Sequence, residues 1–241
     1  MSKFSIFIGT VADLLYPPES ICILCGSITQ VDNHLCADCA AGLRTIDDVY
    51  KTDKFGRCQG CSRPVKLGAR LCNSCKSDEH PVRGFAPFMH NGIAAKLVTA
   101  LKFHNQEFAA GILAPYMVRY IPEGINALVP IPLHRLRRRE RGFNQAELLC
   151  REMSRICSLP TCDVLLRARK TKRQTDLSGD VRRLNVEGAF TMTTPLMDLH
   201  GMNIALIDDV RTTGSTALAA SLELREHGAG EVTLITATLS K

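Results

Sequence analysis

The chain has 241 residues, of which 45% are hydrophobic and 22% are charged, and its formal net charge is +6. This is the composition of an ordinary globular protein, which excludes a disordered chain and one embedded in a membrane. The basic excess is local, because residues 134–183 contain fourteen Arg or Lys against six Asp or Glu. Such a region typically faces polyanions, although many charge runs are only a solvated surface.

The beginning of the chain resembles a signal peptide, since Lys3 precedes a short apolar stretch. Asp13 interrupts that stretch, no convincing small-residue cleavage site follows, and the apolar residues recur at helical spacing. The segment therefore predicts an amphipathic helix that is stopped by Pro17 and Pro18. No apolar run reaches the ~20 residues of a membrane span. We expect a cytoplasmic protein without a membrane span.

Cysteines dominate the next segment, where eight of the eleven form four CxxC pairs. Both halves of the segment have the spacing C-x2-C-x10-C-x2-C, which indicates an internal duplication. Two CxxC knuckles complete the closed tetrahedral thiolate site of structural zinc. Disulfides would need an oxidising compartment, whereas we expect a cytoplasmic protein. A redox-active CxxC motif is not expected in four copies.

We therefore predict a double zinc ribbon that holds two structural zinc ions. Each site has four protein ligands and leaves no position for a substrate water, so the ions support structure and perform no chemistry. Interleaved pairing of the knuckles stays open. Sequential pairing assigns one zinc to Cys22, Cys25, Cys36 and Cys39, and the other to Cys58, Cys61, Cys72 and Cys75.

Beyond residue 80, helical and strand-like segments alternate, which predicts an α/β domain with a parallel sheet. We place the helix and double ribbon at 1–80 and the α/β domain at 81–241. The predicted helices are GIAAKLVTALKF, EFAAGILAPYMVRYI, FNQAELLCREMSRIC and STALAASLELREHG. The predicted strands are NALVPI, NIALI and EVTLITATL.

The segment Ile204–Thr216, IALIDDVRTTGST, joins a buried strand to two carboxylates, a short Thr/Gly loop and a helix. The carboxyl end of a parallel strand opens into a ligand crevice, so Asp208 and Asp209 are displayed where a ligand sits. Ionised carboxylates suit vicinal ribose hydroxyls as acceptors. The hydroxyls and N–H groups of Thr212, Thr213, Gly214, Ser215 and Thr216 then form a phosphate seat at a helix N-terminus.

Other phosphate loops do not fit, because the chain contains neither GxxxxGK[ST] nor GxGxxG. This argues against a nucleotide triphosphatase of the Walker type. The alternative is an ordinary strand, turn and helix with surface acids. The ordered combination of an apolar run, two aspartates and TTGST favours a cradle for a phosphorylated ribose.

The same segment resembles the phosphoribosyl pyrophosphate motif of type I phosphoribosyltransferases. Together with the doubled CxxC unit, LKFHNQEFA, VPIP followed by RRRERGFNQAELL, and RQTDLSGDVRRLNVEGAF, it makes nearly the whole chain similar to the ComF family of competence-associated proteins. The resemblance implies a double zinc ribbon followed by a parallel-sheet domain of the type I phosphoribosyltransferase fold. It also implies a bacterial role in DNA uptake or handling.

The resemblance further implies that magnesium-bound phosphoribosyl pyrophosphate loses pyrophosphate when a nucleophile attacks the anomeric carbon. Asp208 and Asp209 would hold the ribose, and residues 212–216 would hold its 5-phosphate. The pyrophosphate would face His134, Arg135 and the arginines up to Arg141.

Two further groups of residues receive roles from the resemblance. Arg141, Asn144 and Gln145 would face the ligand, although Asn144 also fits a simple helix N-cap. Lys172 and Arg173 would follow the leaving oxygens, and Gln174 would order a closed loop. The alternative for 168–173 is a solvated basic loop.

Three functions stay open. The first is a transferase with an unidentified base or amine acceptor. The second is a DNA-handling protein that contacts single-stranded DNA and the competence machinery; with 5% aromatic residues and no Trp, its DNA binding would depend mainly on phosphates and on salt. The third is a sensor that binds phosphoribosyl pyrophosphate or a nucleotide without turnover. The sequence does not indicate an oligomeric state.

Overall fold

The computed structural model describes residues 21–29, 32–50, 54–77, 82–103, 106–168, 188–193 and 198–240. The predicted N-terminal helix and the predicted boundary at residue 80 lie outside these ranges. Among the described helices, none combines the length and the apolar character needed to cross a membrane.

The cysteine-rich region consists of short elements. These are α1 (Ala37–Ala41), α2 (Ile46–Tyr50), β1 (Phe55–Arg57), β2 (Pro64–Lys66) and α3 (Asn73–Lys76). Strands β1 and β2 pair as an antiparallel hairpin in which Phe55 lies opposite Lys66.

The rest of the chain alternates strands and helices, as predicted. Its strands are β3 (Gly84–Phe85), β4 (Phe88–Met89), β5 (Ala127–Pro130), β6 (Leu165–Arg167), β7 (Phe190–Met192), β8 (Ile204–Arg211) and β9 (Val232–Leu239). Its helices are α4 (Gly92–Phe103), α5 (Gln106–Val118), α6 (Arg135–Arg141), α7 (Gln145–Cys157) and α8 (Ser215–Glu226).

A parallel sheet in the order β3-β9-β8-β5 forms the centre of the fold, and β4 also pairs with β9. Every residue of β9 is buried, as expected for a strand that is covered on both faces. Helices α4, α5 and α7 pack on one face through residues such as Leu101, while α8 and the β6–β7 hairpin cover the other. The predicted α/β class with a parallel sheet and an N-terminal cysteine-rich region is therefore confirmed.

The cysteine-rich region packs directly on this core. Cys22 and Cys36 belong to the same buried cluster as residues of α4 and α5. Arg57 joins the two parts, since its Nε donates to Asp47 Oδ1 at 2.6 Å and its Nη2 donates to Tyr120 Oη at 2.8 Å. Burial raises the pKa of Tyr120 to about 12, so its hydroxyl stays protonated and donates to Asp47.

Candidate functional site

The acid pair lies in the second half of β8, just beyond Ile207, the last residue of this strand that pairs with β5. Residues 204–207 are buried in the sheet, whereas Asp208 and Asp209 are half-buried at its edge. The Asp209 N–H donates to Asp208 Oδ1 at 2.8 Å. Burial, and then the adjacent Asp209 carboxylate, raise the pKa of Asp208 well above its usual range. The pair is therefore placed where the parallel sheet opens, as the sequence predicts, and ionisation of Asp208 beside Asp209 is unfavourable.

A lysine to which the sequence assigns no role forms an ion pair with Asp209. Lys102, in the last turn of α4, places Nζ 2.9 Å from Asp209 Oδ2. His90 lies nearby and shares a hydrogen bond of 2.9 Å between its Nδ1 and Thr238 Oγ1. Burial and the Lys102 charge lower the pKa of His90, so the histidine is neutral at physiological pH. Lys102 thus places a positive charge directly beside the acid pair.

The Thr/Gly loop connects the acid pair to α8. Gly214 adopts φ 81°, a left-handed conformation that suits glycine, and it occupies the N-cap position of the twelve-residue helix. Thr213 Oγ1 and Ser215 Oγ lie 3.0 Å apart, and both Thr212 and Thr213 are exposed. The first N–H groups of a helix have no partner within the helix. The loop therefore offers both hydroxyl and N–H donors to an anion.

The loop and helix with the basic residues that are predicted to face the pyrophosphate begin next to Asp208. The Ile131 N–H donates to Ile207 O at 2.9 Å, so the loop after β5 starts beside the acid pair. His134 is the N-cap of α6 and accepts from the Leu136 N–H through Nδ1 at 3.3 Å. The exposed Arg135 follows it, and Arg141 ends the helix with its guanidinium 5.5 Å from the Phe103 ring centroid. Basic side chains therefore occupy the loop and helix next to the acid pair.

An arginine of the β6–β7 hairpin, Arg167, also lies near the acid pair. Burial lowers the pKa of Arg167, and the Asp208 carboxylate partly offsets that effect. Its guanidinium carbon lies 5.6 Å from the Phe190 ring centroid. No motif marks this residue in the sequence, because its proximity to Asp208 arises from the hairpin that covers the sheet.

Asn144 and Gln145 lie inside the protein, at 1% and 3% exposure. The Asn144 side chain accepts from the Ala146 N–H at 3.2 Å and donates to Ile131 O at 3.1 Å. The N-cap interpretation of Asn144 is thus confirmed, and its contact with Ile131 fixes the basic loop. A role of either side chain toward a ligand stays a prediction. Lys172, Arg173 and Gln174 lie outside the described residues.

The eight ribbon cysteines come together as two separate groups. Within each group the four sulfur atoms all lie within 4.8 Å of one another. The pairing is sequential and not interleaved. One group is Cys22, Cys25, Cys36 and Cys39, and the other is Cys58, Cys61, Cys72 and Cys75.

The chemistry of these groups fits a divalent soft cation. Burial, and then the other thiols of its group, raise the pKa of Cys39, and burial and the neighbouring Cys61 thiolate raise that of Cys75. Four adjacent thiolates need a cation to stay ionised together, and four-cysteine sites typically bind zinc. The two groups therefore support structural zinc.

The chain is similar to several known proteins. A family model described as a double zinc ribbon domain matches residues 11–50. Competence protein F of Haemophilus influenzae is 28% identical over 88% of this chain and 93% of that protein. The DNA utilization protein YhgH of Escherichia coli K12 is 29% identical over 88% and 87% of the two chains, and competence protein ComFC of Bacillus subtilis is 28% identical over 86% and 90%. The predicted resemblance to this family is confirmed.

Two solved structures are also similar to the chain. One is the glutamine phosphoribosylpyrophosphate amidotransferase of B. subtilis, with a TM-score of 0.37 and 17% identity over 52% of this chain. The match spans 25% of that amidotransferase. The other is the adenine phosphoribosyltransferase of Leishmania tarentolae, with a TM-score of 0.35 and 13% identity over 55% of this chain and 71% of that one.

Proposed function

Because the chain resembles competence protein F and ComFC over most of its length, we propose that it is a competence-linked protein that binds phosphoribosyl pyrophosphate with Mg²⁺. One observation carries the proposal: Asp208, Asp209 and the N-terminus of α8 meet at a single edge of the parallel sheet. Carboxylates accept from ribose hydroxyls, and a helix N-terminus binds a phosphate. Adjacent residues would thereby bind two chemically distinct parts of one ligand, its ribose and its phosphate.

The pyrophosphate side of the ligand is assigned to the basic loop and helix after β5. His134 and Arg135 lie there, and Arg141 closes the helix. Guanidinium groups pair well with phosphate oxygens, and Mg²⁺ would neutralise further charge on the pyrophosphate. Lys172, Arg173 and Gln174 stay candidates for the loop that closes over the ligand during transfer.

Titration calorimetry with phosphoribosyl pyrophosphate and Mg²⁺ tests the proposal. The parent protein is compared with the Asp208→Asn/Asp209→Asn variant, which keeps the size of both side chains. We expect binding by the parent and a loss of affinity in the variant. Equal affinities, or no binding by the parent, would reject the assigned site.

Transfer and sensing are distinguished in the same titration. A transferase forms a bond from the anomeric carbon to its acceptor and breaks the bond to pyrophosphate, so it releases pyrophosphate when the acceptor is present. A sensor binds the ligand and releases none. Measuring pyrophosphate with and without candidate bases or amines therefore separates an enzyme from a binding protein.

Handling of single-stranded DNA is a second proposed function. It is favoured by the exposure of Arg135, Arg137 and Arg139 on α6. An arginine-rich surface of this kind binds phosphates regardless of base sequence, and such binding weakens steeply with salt. Fluorescence anisotropy with a labelled oligonucleotide at several salt concentrations tests this function, and binding that is absent or insensitive to salt would reject it.

A further inference from the structure

Arg211 follows the acid pair at the end of β8, yet its side chain is 3% exposed. Its Nη2 donates to Val82 O at 2.9 Å. Within the described part of the chain, its Nε and Nη1 have no hydrogen-bond partner. A buried guanidinium with two unpartnered nitrogens is costly unless an anion lies close by.

The second cysteine group supplies that anion. Burial lowers the pKa of Arg211, and the Cys61, Cys75, Cys58 and Cys72 thiolates act in the opposite direction. Zinc bound by four thiolates carries a net charge of −2, because each thiolate contributes one negative charge and the ion two positive ones. Arg211 therefore stands within electrostatic reach of a centre whose charge is opposite to its own.

Two glycines lie where Arg211, strand β3 and the second cysteine group come together: Gly84 leaves room for Arg211, and Gly60 leaves room for Cys75. A Cβ atom on Gly84 would lie 2.5 Å from Arg211 Nη1, and one on Gly60 would lie 2.9 Å from Cys75 Sγ. The Gly84 N–H donates to Gly60 O at 2.9 Å, which ties β3 to the CQGC knuckle. Gly84 of β3 therefore contacts both the Arg211 guanidinium and the backbone of the knuckle.

The backbone of Arg211 leads directly into the proposed phosphate-binding loop. Its carbonyl accepts from the Ser240 N–H at 2.8 Å, and Thr212 follows it in the chain. If zinc were lost, the CQGC knuckle would no longer be held against Gly84, and the packing that confines the Arg211 guanidinium would loosen. A shift of this side chain would be passed to the adjacent loop.

We propose that Arg211 is a positioning residue that ties the loop at 212–216 to the zinc centre of Cys58, Cys61, Cys72 and Cys75. Zinc binding at this centre and ligand binding at the loop then strengthen one another, and by thermodynamic linkage the effect is reciprocal. The first part concerns Arg211 and the metal alone. The second part rests on the proposed function, because it requires that the loop bind a ligand.

Alkylation of the cysteines in the presence of a zinc chelator tests the first part. Mass spectrometry then shows which of the two cysteine groups opens, independently of any activity. We expect Arg211→Met to accelerate alkylation of the second group by about tenfold, the lower range for loss of a partner around a metal site, and to leave the first group unchanged. Arg211→Lys, which keeps the charge, should recover part of the protection.

Arg83→Met is the matched control, since Arg83 is near β3 but its side chain is 54% exposed. It should leave alkylation of both groups as in the parent, and circular dichroism should show that all variants are folded. A rate for Arg211→Met equal to that of the parent would overturn the proposal. Equal acceleration of both cysteine groups would also overturn it, because it would indicate general loosening of the fold.

Addition of phosphoribosyl pyrophosphate and Mg²⁺ tests the second part. The ligand should slow alkylation of the second group in the parent by about fivefold or more, a typical coupling between linked sites, and should have no such effect in Arg211→Met. If calorimetry shows that the parent binds but alkylation is unchanged, the linkage is overturned. If the parent does not bind, the proposed function and the linkage both fall, and alkylation alone decides the pairing of Arg211 with the metal.

Discussion

Lys102 Nζ lies 2.9 Å from Asp209 Oδ2, which joins the end of α4 to the second half of β8. The lysine is 26% exposed and the aspartate 13%, so solvent screens this pair only in part. Lys102 also lowers the pKa of Asp208, against the larger effects of burial and of Asp209. A cation from a distant helix thereby favours the ionised form of Asp208 at the proposed ribose site.

Replacement of this cation should weaken binding of phosphoribosyl pyrophosphate at neutral pH. Without Lys102 the pKa of Asp208 rises further, so Asp208 stays protonated over a wider range of pH. It must then release this proton before its carboxylate can accept from a ribose hydroxyl. We expect Lys102→Met to reduce affinity by roughly five- to tenfold, equivalent to about 1 kcal/mol, and the deficit to shrink as pH increases. Calorimetry between pH 6 and 9 measures this.

Lys96→Met is the control for that substitution, because Lys96 lies on the same helix but is exposed. The affinity of Lys96→Met for phosphoribosyl pyrophosphate should match that of the parent protein at every pH. A Lys102→Met protein with unchanged affinity across this pH range would show that the ion pair does not serve the ligand.

The raised pKa of Asp208 has a consequence for stability. In the unfolded chain an aspartate has a pKa of about 3.9, so between this value and the higher folded-state pKa the folded protein binds more protons. The free energy of unfolding therefore decreases as pH rises through that window. We expect Asp208→Asn to have a Tm a few degrees above the parent at pH 7, and a smaller advantage as pH falls toward 4. Thermal unfolding followed by circular dichroism decides this, and a less stable variant at pH 7 would contradict it.

The order of elements at the site could be predicted from local sequence. The pattern of Ile204–Thr216 specifies strand, acids, loop and helix in succession, and the spacing of the cysteines specifies two four-ligand groups. Lys102 and Arg211 could not be assigned, because their partners come from remote segments. Lys102 lies in a predicted helix and in LKFHNQEFA, one of the segments that carry the resemblance, but nothing local indicates its pairing with Asp209. Arg211 stands within the motif without any local sign that it packs toward the second cysteine group.

The choice between sequential and interleaved pairing of the cysteines also needed the fold, since the spacing is the same in both halves. Substitution of one cysteine in each of the first two knuckles tests the pairing in solution. Cys25→Ser/Cys36→Ser damages one group under sequential pairing and both under interleaved pairing. We expect two zinc ions per chain in the parent and one in this variant, measured by elemental analysis. A variant without zinc would contradict the pairing.

That variant should also lose stability, because Cys22 and Cys36 are buried in the main core, whereas the second group belongs to a small separate cluster. The matched Cys61→Ser/Cys72→Ser protein should keep one zinc and a higher Tm than the variant of the first group. Equal losses of Tm would argue against the different burial of the two centres.

The arginines of α6 provide a test of DNA binding. Replacing Arg135, Arg137 and Arg139 with Gln should lower affinity for single-stranded DNA and reduce the slope of log K against log salt by about two, at ~0.7 for each phosphate contact. The triple replacement with Lys keeps the charge and should preserve the slope. Anisotropy measurements in which the Gln variant keeps the parental slope would place the DNA contacts elsewhere.

Hydrogen–deuterium exchange at the phosphate-binding loop tests the central claim most directly. Addition of phosphoribosyl pyrophosphate and Mg²⁺ should slow exchange of the amides between Thr212 and Ala217, which would donate to the 5-phosphate, and should leave them unchanged in Asp208→Asn/Asp209→Asn. Exchange at these amides that is the same with and without ligand, at a concentration that saturates the parent, would contradict the account.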